Sequence, residues 1–408
     1  MVRMAILPSG QRPPSRRWTG EAAVLERVRA ICEEVRRRGD DALVELTRDL
    51  DGADVAGRIR ISPAELEAAE REIAPELLAA LERMAERLRG VHARQLPSAW
   101  ESETDGVRFG EVIRPLAAAG CYVPGGRASY PSSVLMTAIP AAVAGVPRIA
   151  VCTPPGPDGS IPPAVLAAAA LAGAGEVYRV GGAQAVAALA FGTGTIAPVD
   201  KVVGPGNAWV TAAKREVAGV VGIDGLAGPT ELVIVADATA DPEVLAADLV
   251  AQAEHDPQAE AMLVALDPDL PDRVNDALEA ATAAAPRRDI VEAALEHATA
   301  TVVADEGAAA EVVDELAPEH LQVVTAEPDR FVAGVRSFGA AFLGSHSPVS
   351  FGDYGVGSNH VLPTMGTARF ASGLRAADFV TVSSFVEGSA AGVASFAAEV
   401  ELVAASEG

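Results

Sequence analysis

Positive charge is scarce: 32 Lys and Arg stand against 56 Asp and Glu, giving a formal net charge of −24. A chain this acidic lacks the basic face that a nucleic-acid backbone requires, so no nucleic-acid partner is expected. The basic start (Arg12, Arg16, Arg17) has no long apolar run behind it and does not read as a signal peptide. No stretch approaches the length of a membrane span free of charge, Gly or Pro. Cysteine is nearly absent. Cys32, Cys121 and Cys152 sit singly in apolar contexts, without the paired spacing of a disulfide framework or a thiolate metal site, and read as small buried hydrophobes. Aromatics make up only 4%. A cytoplasmic enzyme is the expectation.

What the chain has in quantity is Ala, Val and Leu, half of it being hydrophobic. Its 408 residues suffice for two or three domains. Residues 1–18, rich in Pro, Arg and Ser, read as an arm. A helix is expected from Thr19 to Leu50, broken at Gly39. Another runs from the Ser62-Pro63-Ala64-Glu65 capping box to about Arg94, bent at Pro75. Val107–Leu116 reads as a strand. From Gly120 onward short apolar runs alternate with Ala-rich helical stretches: strands are expected at 149–152, 176–180, 201–203, 232–236, 262–266, 301–304, 321–324 and 340–343. Such alternation predicts parallel sheets covered on both faces. The count exceeds one small sheet. The expectation is an α/β fold of two doubly wound, incomplete Rossmann-like units with extended N- and C-terminal arms. A unit at 117–229 would be inserted into a larger one made of 19–116 and 230–372. Segment 373–408 (a strand at 379–382 and an Ala-rich helix) has no home in either sheet and would reach across to a partner subunit.

The stretch Asp241–Pro257 reads as a helix with Asp241 as cap and Pro242 in the first turn, stopped by Pro257. Val244, Leu245, Leu249 and Val250 give it a buried stripe. Gln252 and His255 share one face of its closing turn. A histidine near a helix end is usually a cap or a half-buried surface residue. Two further polar stretches, around Glu319-His320 and from Asp353 to His360, hold most of the remaining residues able to form a site.

Three glycine-rich turns fall at strand ends: Tyr122–Gly126, Val180–Gln184 and Val203–Asn207. Glycine lets backbone amides approach a phosphate, and open α/β sheets bind ligands at carboxyl ends. None matches G-x-G-x-x-G, so ordinary left-handed turns fit as well; Gln184 and Asn207 add amides able to read a ribose or a nicotinamide. Gln252, His255 and Asp353 offer O, N and O donors, a set suited to zinc or another divalent first-row ion. Glu319 and His320 offer a carboxylate and an imidazole at a strand start, suited to general-base work. His360 can serve as ligand, substrate contact or core residue.

Taken with the segments around them, these residues resemble histidinol dehydrogenases over nearly the whole chain. The likeness rests on Y-V-P-G-G from Tyr122, G-G-A-Q-A-V-A-A-L-A-F-G-T from Gly181 and D-K-V-V-G-P-G-N-A from Asp200. It continues with A-G-P-T-E from Ala227, Q-A-E-H from Gln252, A-P-E-H-L from Ala317 and G-D-Y-x-x-G-S-N-H-V-L-P-T from Gly352. The resemblance implies a zinc- and NAD-dependent homodimer with shared active sites, converting L-histidinol through L-histidinal to L-histidine. It implies Gln252, His255 and Asp353 as zinc ligands and Glu319 and His320 as the acid/base pair. Tyr122, Gln184 and Asn207 become NAD contacts. Thr230, His320, His360 and Glu407 become substrate contacts, beside the metal-binding Gln252, His255 and Asp353.

Two departures stand out. Thr230 replaces the family's usual Ser and keeps the hydroxyl. The family's tail brings a Glu and then a His into the partner's site, whereas here A-A-S-E-G aligns Glu407 with that Glu and stops at Gly408. Loosely held zinc, with three protein ligands, is therefore expected. The alternatives are a relative oxidising another small alcohol, such as a sulfonated diol, and a catalytically silent paralogue.

Overall fold

The computed structural model describes residues 3–8, 11–13, 21–125 and 128–408; Arg16, Arg17, Thr19 and Gly126, named among the expectations, lie outside them. In chain order its strands are β1 (Ala5–Ile6), β2 (Trp100–Thr104), β3 (Val107–Pro115), β4 (Ala118–Tyr122), β5 (Arg148–Thr153), β6 (Glu176–Arg179) and β7 (Lys201–Val203). They continue with β8 (Gly222–Ile223), β9 (Glu231–Ala236), β10 (Glu260–Ala265), β11 (Thr299–Val302), β12 (His320–Val324), β13 (Ala340–Leu343) and β14 (Val380–Gly388). The expected alternation is present because each apolar run is too short for a helix and is closed by Gly, Pro or a helix cap.

The strands form two parallel sheets and one antiparallel ribbon, a mixed α/β architecture. Five strands, in the order β6-β5-β4-β7-β8, make one parallel sheet. Six, in the order β1-β11-β10-β9-β12-β13, make the other. The ribbon β14-β3-β2 is antiparallel. Both parallel sheets bury apolar residues on both faces, which explains why their strands lack alternation.

The cores group the N-terminal helices differently from the expected boundaries. Helices Ala22–Arg38 and Asp40–Asp51 pack through Val28, Val35 and Leu43 onto the helices covering one face of the five-stranded sheet, and Pro75–Ala93 packs through Met84 and Leu88 onto those covering the other. Sequence alone cannot say which sheet an amphipathic helix covers. Ala5–Ile6 of the expected arm pairs with β11 and Met4 is buried, so this part is an edge strand. Pro75 opens a new helix instead of bending an old one, since its missing N–H suits a first turn. The capping box is present, with Glu65 N donating to Ser62 Oγ (3.2 Å) and Ser62 N to Glu65 Oε2 (2.9 Å).

Helix Pro242–Ala253 is capped by Asp241, whose Oδ1 accepts from Glu243 N. Leu245 and Leu249 are fully buried, whereas Val244 is 37% exposed and lies off the buried stripe. After β14, helix Ala390–Glu407 buries only Gly392 within this chain, although Val393, Val400, Leu402 and Val403 are apolar. No helix among the described residues is long and apolar enough to cross a membrane.

Candidate active site

The two parallel sheets meet with opposite ends. On the five-stranded sheet the glycine turns stand at carboxyl ends, after β4, β6 and β7. At its centre β4 lies between β5 and β7, the switch point at which such sheets open a crevice. Gly204, just after β7, has φ +123° and sits so close to β4 that a Cβ would overlap the Tyr122 carbonyl oxygen. Only glycine fits there.

Lys214 and Asp224 hold this turn. Lys214 Nζ donates to Asp224 Oδ1 (2.6 Å) and to the Gly204 carbonyl (2.9 Å), and Asp224 Oδ2 accepts from Gly204 N (2.7 Å). Both side chains are buried. The Asn207 side chain caps helix Ala208–Val217, accepting from Trp209 N and Val210 N. Tyr122 Oη accepts from Gly182 N (3.3 Å), and Gln184 Nε2 donates to Asp51 Oδ2 (3.4 Å). Burial raises the Asp51 carboxyl to about 6. The three sequence-predicted cofactor contacts thus lie at the carboxyl edge of one sheet.

On the six-stranded sheet the polar residues stand at amino ends. Helix Pro242–Ala253 leaves the carboxyl end of β9 and returns, so Gln252 Nε2 reaches Thr230 Oγ1 (3.1 Å) just before β9 begins. His255, half exposed beyond this helix end, has Nε2 3.7 Å from Asp353 Oδ2. Asp353 Oδ1 is 3.9 Å from His360 Nδ1. His360 also contacts the Asp353 carbonyl and, through Nε2, Ser133 Oγ (both 3.3 Å). Burial lowers its pKa; Asp353 opposes that effect, while His320 and His255 add to it.

Glu319 and His320 are both buried, with Nδ1 3.8 Å from Oε2. Neither ring nitrogen of His320 has a hydrogen-bond partner among the described residues. An imidazole so placed is free to take a proton. Glu319 Oε2 accepts from Glu231 N (3.0 Å). Burial, together with Glu319 and Glu260, raises the Glu231 carboxyl to about 8.

A cavity of about 340 Å³ joins the two edges. Gly204, Pro205, Gly206, Lys214 and Asp224 line it from the five-stranded sheet; Thr230, Glu319, His360, Thr364 and Phe370 line it from the other side. Gln252, His255, His320 and Asp353 stand off this cavity, and Glu407 is exposed at the end of its helix, away from the site within one chain.

Donors on a tetrahedral zinc, with bonds of about 2.0–2.1 Å, lie roughly 3.3 Å apart. The His255–Asp353 separation of 3.7 Å needs only a small adjustment, and an imidazole with a carboxylate is chemistry that a first-row divalent ion accepts. Among the described residues no group of three His, Cys, Asp or Glu side chains converges on a metal-sized point. Gln252, the third ligand expected from the sequence, has its Nε2 turned to Thr230.

Sequence reasoning missed Glu231, Ser133, Asp51 and the Lys214–Asp224 pair. Glu231 carried a signal, a carboxylate opening an otherwise apolar strand. Ser133 carried none.

The family model described as histidinol dehydrogenase matches residues 15–408. A histidinol dehydrogenase from Synechococcus sp. is 48% identical over 96% of this chain and 91% of its own length. One from Methanothermobacter thermautotrophicus is 50% identical over 88% of this chain and 84% of its own. The crystal structure of histidinol dehydrogenase from Elizabethkingia anophelis superposes with a TM-score of 0.93 at 35% identity, covering 100% of this chain and 95% of that one.

Proposed function

The chain belongs to the histidinol dehydrogenase family, and from that premise we propose that it oxidises L-histidinol through L-histidinal to L-histidine with two NAD. The observation that carries this reading is the cavity walled by the glycine turn of one sheet and by Thr230, Glu319 and His360 beside the other. NAD, when bound, accepts one hydride in each oxidation. Tyr122, Gln184 and Asn207 are assigned to it on the carboxyl edge of the 117–229 segment, where Gly204 leaves room for close backbone approach.

In the first oxidation His320 takes the hydroxyl proton, a role suited to its unpartnered ring nitrogens. The second oxidation needs water on the aldehyde carbon. Glu319, at the cavity wall, removes a proton from that water. Thr230, His360 and Glu407 hold the substrate. Gln252, His255 and Asp353 would hold zinc, which would supply a fixed positive centre for the substrate's imidazole and amine.

Glu407 would come from a second copy, making a homodimer with shared sites. The apolar, exposed face of helix Ala390–Glu407 supports this role for segment 373–408. A cytoplasmic location goes with the reading. The test is purified protein with L-histidinol, NAD and added zinc, followed by NADH absorbance. Two NADH per histidine formed are expected; absence of NADH with L-histidinol would overturn the assignment.

A further inference from the structure

Three buried groups cross at the start of β9. The Glu231 amide donates to Glu319 Oε2 at 3.0 Å, and Glu231 Oε1 accepts from Met365 N at 2.8 Å. The Glu319 backbone amide in turn acts on the Glu231 carboxyl and favours its charged form. Met365 is one of three non-glycine residues with positive φ among those described (+56°). Such a conformation is strained and persists only when its surroundings impose it. Close by, Gly228 N donates to Thr364 Oγ1 at 2.6 Å. The strap 359–365, which carries His360, is therefore pinned to segment 228–231 by two bonds.

Its other end is fixed to the opposite sheet's helices. Asn359, buried, donates through Nδ2 to the Met136 carbonyl (2.7 Å) and contacts His92 Nε2 (3.2 Å), while its Oδ1 accepts from Val361 N. His360 hangs between these anchors and faces the same cavity as Glu319.

We propose that Glu231 is the positioning residue of this site: its carboxyl fixes the His360 strap and its amide fixes Glu319, so both cavity walls keep one spacing. The inference rests on the proposed activity and deepens it. Glu231 does not touch the cavity and acts through Glu319 and Met365. The charged or titratable groups facing it are Glu260 on β10 and Glu319 before β12, and the strap contributes an uncharged amide. Burial, and then Glu319 and Glu260, raise the Glu231 carboxyl to about 8.

The test uses the full chain with histidinal and NAD. Glu231→Ala should lower kcat on the order of a hundred-fold, the usual cost of a misplaced catalytic group, with the KM for NAD within about twofold of wild type. Glu231→Gln keeps an acceptor for Met365 N and should retain activity to within about tenfold below pH 7. Its rate relative to wild type should rise through about pH 8, where Glu231 of the wild type ionises beside Glu319. Wild-type turnover in the Ala variant, or a flat ratio for the Gln variant, overturns the proposal; should the Ala variant fail to fold, the Gln profile decides alone. If the wild type does not oxidise histidinol, the functional reading has failed. Hydrogen exchange then judges the positioning role separately: the Met365 amide should exchange faster in Glu231→Ala, which removes its acceptor, and about as in wild type in Glu231→Gln, which keeps one, and wild-type exchange in Glu231→Ala would overturn it.

Discussion

His255 Nε2 and Asp353 Oδ2 stand 3.7 Å apart beyond the carboxyl end of helix Pro242–Ala253, whose negative pole favours a cation at that point. Asp353 also lies beside His360, so one carboxylate stands between two imidazoles. Such a group loses its role when its charge is removed. Asp353→Asn should weaken zinc binding by at least tenfold, and His255→Ala by a similar factor. Zinc content after dialysis against a graded chelator series checks this. Unchanged zinc retention in both variants would move the metal elsewhere.

Glu319→Gln separates the two oxidations. Only aldehyde oxidation needs an activated water, so its rate should fall on the order of a hundred- to ten-thousand-fold, while alcohol oxidation falls far less. The Gln side chain keeps an acceptor for the Glu231 amide, so the local fold should survive. Single-turnover measurements starting from histidinol and from histidinal make the comparison. Equal slowing of the two half-reactions would assign both proton transfers to one group.

The sequence showed most of the buried strands because they are short Val-, Ile- and Ala-rich runs, as at Leu232–Ala236, closed by a turn signal; the central strand β4, Ala-Ala-Gly-Cys-Tyr, has no such run and was not read as a strand. The sequence placed Glu319 and His320 at a strand start, which is where they are. It could not show which sheet the helix Ala22–Arg38 covers, because an apolar stripe names no partner. The ribbon strand Trp100–Thr104 was hidden: it is exposed throughout and polar, and its strand character comes only from pairing with β3. Ser133 and Lys214 reached the site by long-range packing, for which a single chain carries no local pattern.

Lys214 and Asp224 test whether the switch-point turn depends on a buried ion pair. Lys214 is 1% exposed and satisfies both Asp224 and the Gly204 carbonyl. Asp224→Ala would strand a buried ammonium, at a cost of about 3–5 kcal/mol. The double change Lys214→Met with Asp224→Leu removes both charges and should recover part of that loss. NAD affinity should stay low in the double variant, because Gly204 loses both its anchors. Urea unfolding and NAD titration read the two effects. A double variant with normal NAD affinity would mean that the turn holds its shape without the pair.

Glu231 makes a prediction about stability against pH. Its carboxyl is raised from the ordinary 4.5 to about 8 in the folded chain, chiefly by burial and then by Glu319 and Glu260. Below pH 4.5 both states carry the proton and the group adds nothing pH-dependent. Between 4.5 and 8 the unfolded chain releases that proton while the folded chain keeps it, so rising pH favours unfolding. Above about 8 both states are ionised and the cost levels off. A tenfold difference in proton affinity between the two states corresponds to about 1.4 kcal/mol, which sets an upper bound of a few kcal/mol; the inflection belongs to the three coupled carboxyls together. Glu231→Gln cannot titrate. Its stability relative to wild type should therefore climb from pH 4.5 to 8 and then flatten. Asp51, also raised by burial, is present in both proteins and cancels from the difference. Urea midpoints at intervals between pH 4.5 and 9 measure it, and a difference that stays constant with pH would mean that Glu231 is already ionised at neutral pH.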